Sequence, residues 1–192
     1  MDKDYALSMA NFNEFNTYVN AALDNDEITK DEWYEIVNLH TTKWYLSYDN
    51  PRAQSGHGGD EYHYRFSHLP IIECLYKDGT FLDVGCANGH LMEMVHKWAN
   101  AIGFDLQVFG VDISEGLIEL AKKRLPQWYD NFYIANRYFW KSEIKFDYIH
   151  LMGIGGYPEY DERICFEYYM ENYLADGGRM IIGPYWYENE DT

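Results

Sequence analysis

The chain has 192 residues, 47% of them hydrophobic and 18% aromatic, and carries 32 acidic against 15 basic residues for a formal net charge of −17 at pH 7. That length suits one domain with a sizeable core. The charge balance argues against a nucleic-acid partner, because nucleic-acid binders present a basic face that displaces counterions. Its longest basic run, Lys122-Lys123-Arg124, falls at a predicted helix end, where cations suit the dipole. Met1 opens a polar, acidic segment with no apolar signal core, and no run approaches the ~18 apolar residues of a membrane-spanning helix. Cys74, Cys86 and Cys165 form no C-x-x-C pair and no disulfide framework, so a reducing, cytoplasmic location is expected.

Residues 5–24 read as a first helix with Leu7, Phe12, Phe15, Val19 and Leu23 as its apolar positions. Thr29-Lys30-Asp31-Glu32 has the spacing of a capping box. Behind it Trp33, Ile36, Val37, His40 and Trp44 share a helical face running to about Tyr48, and His40 reads as a satisfied, half-buried ring. Residues 49–60 hold Pro51, Gly56, Gly58 and Gly59 among small polar residues. They read as a loop, and one able to close over a ligand. Asp60 can cap a helix reaching about Lys77, with Pro70 starting its second half or kinking it; His63, Arg65 and His68 lie there.

The chain is organised around Phe81-Leu82-Asp83-Val84-Gly85-Cys86-Ala87-Asn88-Gly89-His90. A strand over 80–84 ends on a carboxylate, a glycine-containing turn follows, and then a helix with Leu91, Met94, Val95, Trp98 and Ile102 on one stripe. Such a turn brings backbone N–H groups and a positive helix end to an anionic ligand. The spacing is not the G-x-G-x-x-G dinucleotide fingerprint. A second strand over 107–111 ends on Asp112, and Ser114 caps a helix that stops at Pro126. Strands over 131–135, 146–152 and 179–183 follow, with a helix over 159–175 closed by Asp176-Gly177-Gly178. Alternating strands and helices predict a doubly wound, mostly parallel α/β sheet. Ligands bind at the carboxyl ends of such strands. Asp83, Gly85, Asp112, Asn136, Met152 and Gly153 all stand there.

The segment 81–90 and the strand ending on Asp112 closely resemble the first two motifs of class I S-adenosylmethionine (SAM) dependent methyltransferases. The resemblance covers about residues 60–185 and implies a Rossmann-like core over 60–192, with residues 1–59 as an N-terminal helical arm and lid. The usual sixth and seventh strands are missing after residue 183. Either the chain is incomplete, or the fifth strand is an edge to be covered, for instance by a second copy of the chain.

The resemblance implies a cofactor site. The turn Gly85, Cys86, Ala87, Gly89 would meet the methionine moiety, Asp83 its ammonium and Arg65 its carboxylate. Asp112 would accept both ribose hydroxyls, and Ile113 would lie against the adenine. Asn136, where many members have an aspartate, would accept from the adenine amino group, and the Arg137 N–H would meet a ring nitrogen. Met152 would close the strand-four side, with Tyr138, Phe139 or Trp140 as the second adenine face. The reaction implied is in-line methyl transfer to a small molecule, leaving S-adenosylhomocysteine. His150 is the first candidate base, with Tyr157, Tyr160, His57 and His63 behind it. An acceptor on protein or RNA, or SAM binding without catalysis, are the alternatives. No cluster has metal-ligand spacing, so no metal is expected.

Overall fold

A computed structural model describes residues 1–152 and 159–183. Five strands, β1 (Gly79–Val84), β2 (Leu106–Asp112), β3 (Phe132–Ile134), β4 (Phe146–Leu151) and β5 (Leu174–Ile182), form one sheet in the order β3-β2-β1-β4-β5. Every pairing is parallel, so each connection is a crossover. The order reverses between β1 and β4, and this switch opens a crevice at the carboxyl ends of the central strands.

Both faces of the sheet are buried. Phe81, Val108 and Tyr148 point to the side covered by α5 (His90–Ala101), α6 (Glu115–Arg124) and a 3₁₀ segment at Leu69–Cys74. Leu82, Val84, Phe109, Val111, Ile149 and Leu151 point to the other side, packed with Trp140 and with Cys165 and Tyr169 of α7 (Glu159–Asn172). The apolar runs without polar alternation in β1, β2 and β4 follow from this double cover. On α5 the buried stripe is Leu91, Met92, Val95, Trp98 and Ala99, while Ile102 caps the helix and is half exposed.

The N-terminal segment forms α1 (Lys3–Ser8), α2 (Phe12–Asp24) and α3 (Lys30–Leu46). The single helix expected over 5–24 is broken at Met9–Asn11, because the Asn11 carboxamide accepts from the Asn13 and Glu14 N–H groups and starts a new helix. The capping box holds as expected, with Thr29 and Glu32 bonded reciprocally. His40 is buried, stacked on Phe15 at 3.7 Å, with Nε2 2.8 Å from the Met9 carbonyl oxygen. Ala6, Phe15, Val19, Trp33, Ile36 and Val37 make a core of their own for these helices.

Two further expectations are corrected. The helix capped by Asp60 is short, α4 (Glu61–His68), and continues as the 3₁₀ turn that carries Pro70. Asp176-Gly177-Gly178 do not close α7, which ends at Asn172; they lie within β5. There the ladder jumps from Phe146↔Leu174 to Tyr148↔Arg179, and Gly177 takes φ +74° in the bulge.

Candidate active site

The crevice is a cleft with two walls and a roof. One wall is Val84, Gly85 and Ala87 after β1, with Met152 after β4. The other is Asp112, Ile113 and Ser114 after β2, with Asn136, Arg137 and Tyr138 after β3. The roof is the N-terminal arm, which contributes Phe12, Asn16, Trp33, Tyr34, Asn38 and Tyr45 among others.

The turn after β1 is held almost wholly from within. The N–H groups of Gly85 and Cys86 donate to the Val111 carbonyl at 2.8 and 3.2 Å, and that of Ala87 donates to Asp112 Oδ2 at 2.8 Å. Gly89 N–H donates to the Cys86 carbonyl, and His90 N–H to Asn88 Oδ1. The expected offer of these N–H groups to a ligand is therefore corrected: those of Gly85, Cys86 and Ala87 bind the end of β2, and those of Gly89 and His90 bind within the turn. Gly85 adopts φ +84° and brings bare backbone to the cleft. Ala87 adopts φ +46°, a left-handed conformation disfavoured for a residue with a Cβ.

Asp112 is the pivot of the polar wall. Its Oδ2 accepts from Ala87 and its Oδ1 from Ser114 N–H at 2.8 Å, which leaves each oxygen a second lone pair. Burial pushes its carboxyl up from the ordinary range, against the two N–H bonds that hold it down. Asn136 Oδ1 accepts from Tyr138 N–H at 3.0 Å, and the Arg137 guanidinium lies against the Tyr138 ring.

The other predicted residues divide. Cys86 is buried against Gly110 and Met92, and Gly89 sits where a Cβ would meet Leu125 and Phe132 at 2.9 Å. Both shape the turn from behind and do not line the cleft. Arg65 is exposed on the outer face of α4, and the expected contact with the SAM carboxylate is corrected; the same helix turns Tyr64 and His68 inward. His63 is exposed and bonded to Asp60 at 2.7 Å. Phe139 is exposed and Trp140 is buried among Phe146, Tyr169 and Tyr173, so of the three aromatics only Tyr138 reaches the cleft. Tyr157 and Gly153 lie outside the described residues.

His150 does not stand free to act as a base. It pairs with Asp83 across β1 and β4, with Nδ1 2.8 Å from Asp83 Oδ1 and Nε2 2.6 Å from the Gly183 carbonyl oxygen. Both ring nitrogens are engaged and the ring is buried. It positions Asp83. Among the described residues, no three His, Cys, Asp or Glu side chains could hold a metal ion together.

The arm residues were missed from sequence. No sequence signal marks Asn38, Thr41, Thr42 and Tyr45, yet they line the cleft, and Thr42 Oγ1 donates to Ser114 Oγ at 2.7 Å. The loop 49–60 closes one end, where Asn88 Nδ2 donates to the Pro51 carbonyl at 2.9 Å. A Cβ at Gly56, which takes φ +86°, would collide with the Tyr45 hydroxyl.

No curated protein sequence matches the chain. Solved structures do. PH0226 from Pyrococcus horikoshii OT3 is 25% identical over 65% of this chain and 58% of its own, with a TM-score of 0.51. CalS10 from Micromonospora echinaspora, described as a SAM-bound amino pentose methyltransferase, is 20% identical over 73% of this chain and 58% of its own, with a TM-score of 0.54. DesVI from Streptomyces venezuelae is 21% identical over 76% and 62%, with a TM-score of 0.53. The last two likenesses are of fold, and the chain spans about three fifths of the length of these structures. A family model described as a methyltransferase domain matches residues 75–191, more than half of the chain and all of its strand ends. The chain thus belongs to the methyltransferase domain family, SAM-dependent enzymes on a Rossmann-like fold.

Proposed function

We propose that the protein transfers the methyl group of SAM to a small-molecule acceptor. The observation that carries this reading is Asp112: a carboxylate in the cleft, at the end of β2, whose oxygens are each fixed by one backbone N–H and each retain a lone pair for one hydroxyl of a ribose diol. The remaining walls fit the same ligand. Ile113 and Tyr138 offer faces to the adenine, and Asn136 and Arg137 offer its polar edge. Gly85 and Met152 flank the methionine end, while Asp83, buried and bonded to His150, supports the turn from behind. Bound SAM supplies an electrophilic methyl on a sulfonium that leaves as a neutral thioether.

A small acceptor is supported by the roof and by charge. The arm covers the cleft from within the same chain, which leaves little groove for a macromolecule. The excess of 32 acidic over 15 basic residues repels nucleic acid. Among the described residues, no helix is long and apolar enough to cross a membrane. A homodimer across β5, an edge strand among the described residues, belongs to the same proposal and is checked by light scattering.

The test is calorimetry with S-adenosylhomocysteine, then transfer of radiolabelled methyl to a metabolite pool and to a macromolecular extract. One-to-one micromolar binding with label in the metabolite pool is expected. Label confined to macromolecules overturns the acceptor class. Binding with no transfer favours a SAM-binding protein without catalysis, a reading supported by the engagement of both His150 nitrogens.

A further inference from the structure

Outside the residues that line the cleft is a polar cluster that the cofactor reading leaves unused. Four rings meet there: His57 from the loop before α4, Tyr64 and His68 from α4, and His90 at the start of α5. Ring centroids lie 4.3 Å apart for His57 and His68, 5.1 Å for His57 and Tyr64, 4.3 Å for Tyr64 and His68, and 4.8 Å for Tyr64 and His90. Tyr64, His68 and His90 are 2%, 0% and 8% exposed. Yet Tyr64 Oη, His68 Nε2 and both ring nitrogens of His90 are buried with no hydrogen-bond partner. Each such orphan costs about 1–3 kcal/mol. Four of them on three packed rings are hydrogen-bonding capacity that a polar ligand would satisfy.

The chemistry of that ligand follows from protonation. His68 Nδ1 lies 2.9 Å from the Tyr64 carbonyl oxygen, which only accepts, so Nδ1 carries the hydrogen and Nε2 of the neutral ring is a lone pair. Burial holds His57 down to about 3 and His90 to about 4, and lowers His68 as well. Neutral imidazoles do not draw in an anion. They suit an uncharged group that gives a hydrogen, and Tyr64 Oη and His90 can donate in return. Asp83, on the same face of the sheet as His68, favours a proton arriving on it. Among the described residues these rings lack the geometry to hold a metal ion.

We propose that this cluster binds the hydroxyl group of the acceptor, with His68 Nε2 as the atom that takes its proton. The proposal rests on the methyltransferase reading above. An oxygen acceptor must lose its proton, which is why a base is built in; an amine has a lone pair without one. The hydroxyl oxygen's lone pair forms the new C–O bond, the electrons of the S–CH₃ bond return to sulfur, and the O–H proton passes to His68 Nε2. Opening the loop that Asn88 pins through Pro51 admits the acceptor.

The test uses full-length protein labelled with ¹⁵N in its histidine rings and saturated with S-adenosylhomocysteine. Phenol and cyclohexanol are the hydroxyl probes, anisole is the control with no O–H to donate, and acetate and Zn²⁺ are added to separate samples. A hydroxyl probe should shift the His68 Nε2 resonance saturably and bind at least tenfold tighter than anisole. In H68Q that affinity should fall at least tenfold while S-adenosylhomocysteine binds within twofold of wild type. Should H68Q fail to fold, Y64F, which removes only an orphaned hydroxyl, must weaken the probe at least threefold. No saturable shift with either alcohol, equal binding of anisole, or saturation by acetate or zinc instead overturns the proposal. So does a shift of His68 and His90 on adding S-adenosylhomocysteine alone, which would assign the cluster to the cofactor. Failure to bind S-adenosylhomocysteine at all overturns the methyltransferase reading itself.

Discussion

His150 Nδ1 lies 2.8 Å from Asp83 Oδ1 while its Nε2 lies 2.6 Å from the Gly183 carbonyl oxygen, so one buried ring bridges β1 to the end of β5. The two residues are direct neighbours in the parallel register, and neither side chain is open to water. Removing one member leaves the other desolvated and unpaired. His150→Ala is expected to destabilise the fold by about 3–5 kcal/mol. Urea unfolding measures it, and a loss under about 1 kcal/mol would show that water reaches Asp83.

Asp112→Ala is expected to weaken S-adenosylhomocysteine binding by about 1–3 kcal/mol through lost charge-assisted hydrogen bonds. Calorimetry on the folded variant measures it. Unchanged affinity would put the ribose elsewhere.

Ala87 holds φ +46° because its N–H must reach Asp112. Glycine adopts that conformation without the Cβ clash, at the expense of a more flexible unfolded chain. Ala87→Gly is expected to raise stability by about 0.5–1 kcal/mol, read as a higher melting temperature. Gly89→Ala goes the other way by about 1–3 kcal/mol, since its Cβ would press on Leu125 and Phe132.

The roof and α4 make a paired prediction. Tyr34 lines the cleft with its ring 5.9 Å from Tyr138, so Tyr34→Ala should weaken S-adenosylhomocysteine by about 0.5–1.5 kcal/mol. Arg65→Ala should leave that affinity within twofold, because Arg65 faces away. The reverse result would restore Arg65 to the site.

Stability should depend on pH through the buried imidazoles. His57 sits at about 3 and His90 at about 4, both below the ordinary 6.5. Between those values the unfolded chain binds more protons than the folded one. The stability supported by these neutral rings is present above pH 6.5 and falls as pH drops through the window. Unfolding at pH ~5 should take up about two protons from these rings. The urea midpoint should fall from pH 7 to pH 5, and the H57Q/H90Q double variant should flatten that slope.

The parts of the molecule legible from sequence are those specified locally. The strand, turn and helix around Gly85 are set by neighbouring residues, and Asp112 is found because a carboxylate ends an apolar run. The direction of Arg65 was not legible: α4 is eight residues long, too short for a stripe to reveal its phase. The polar face of α3 carries no local signal for the cleft it covers, because that cleft is built by strands distant in sequence. Asp176-Gly177-Gly178 carries a helix-stop signal, but the pairing of β5 with β4 absorbs those residues as a bulge, and that pairing is nonlocal.

The arm owns its hydrophobic core, separate from those on the two faces of the sheet. It is tied to the sheet domain by partly buried contacts such as Thr42 to Ser114, and none of the three cores is shared between them. The arm roofs the cleft where the proposed cofactor and its product would both sit. On the proposed reading, a tighter latch at α3 would slow arrival and departure together, lengthening residence while leaving the equilibrium constant nearly unchanged.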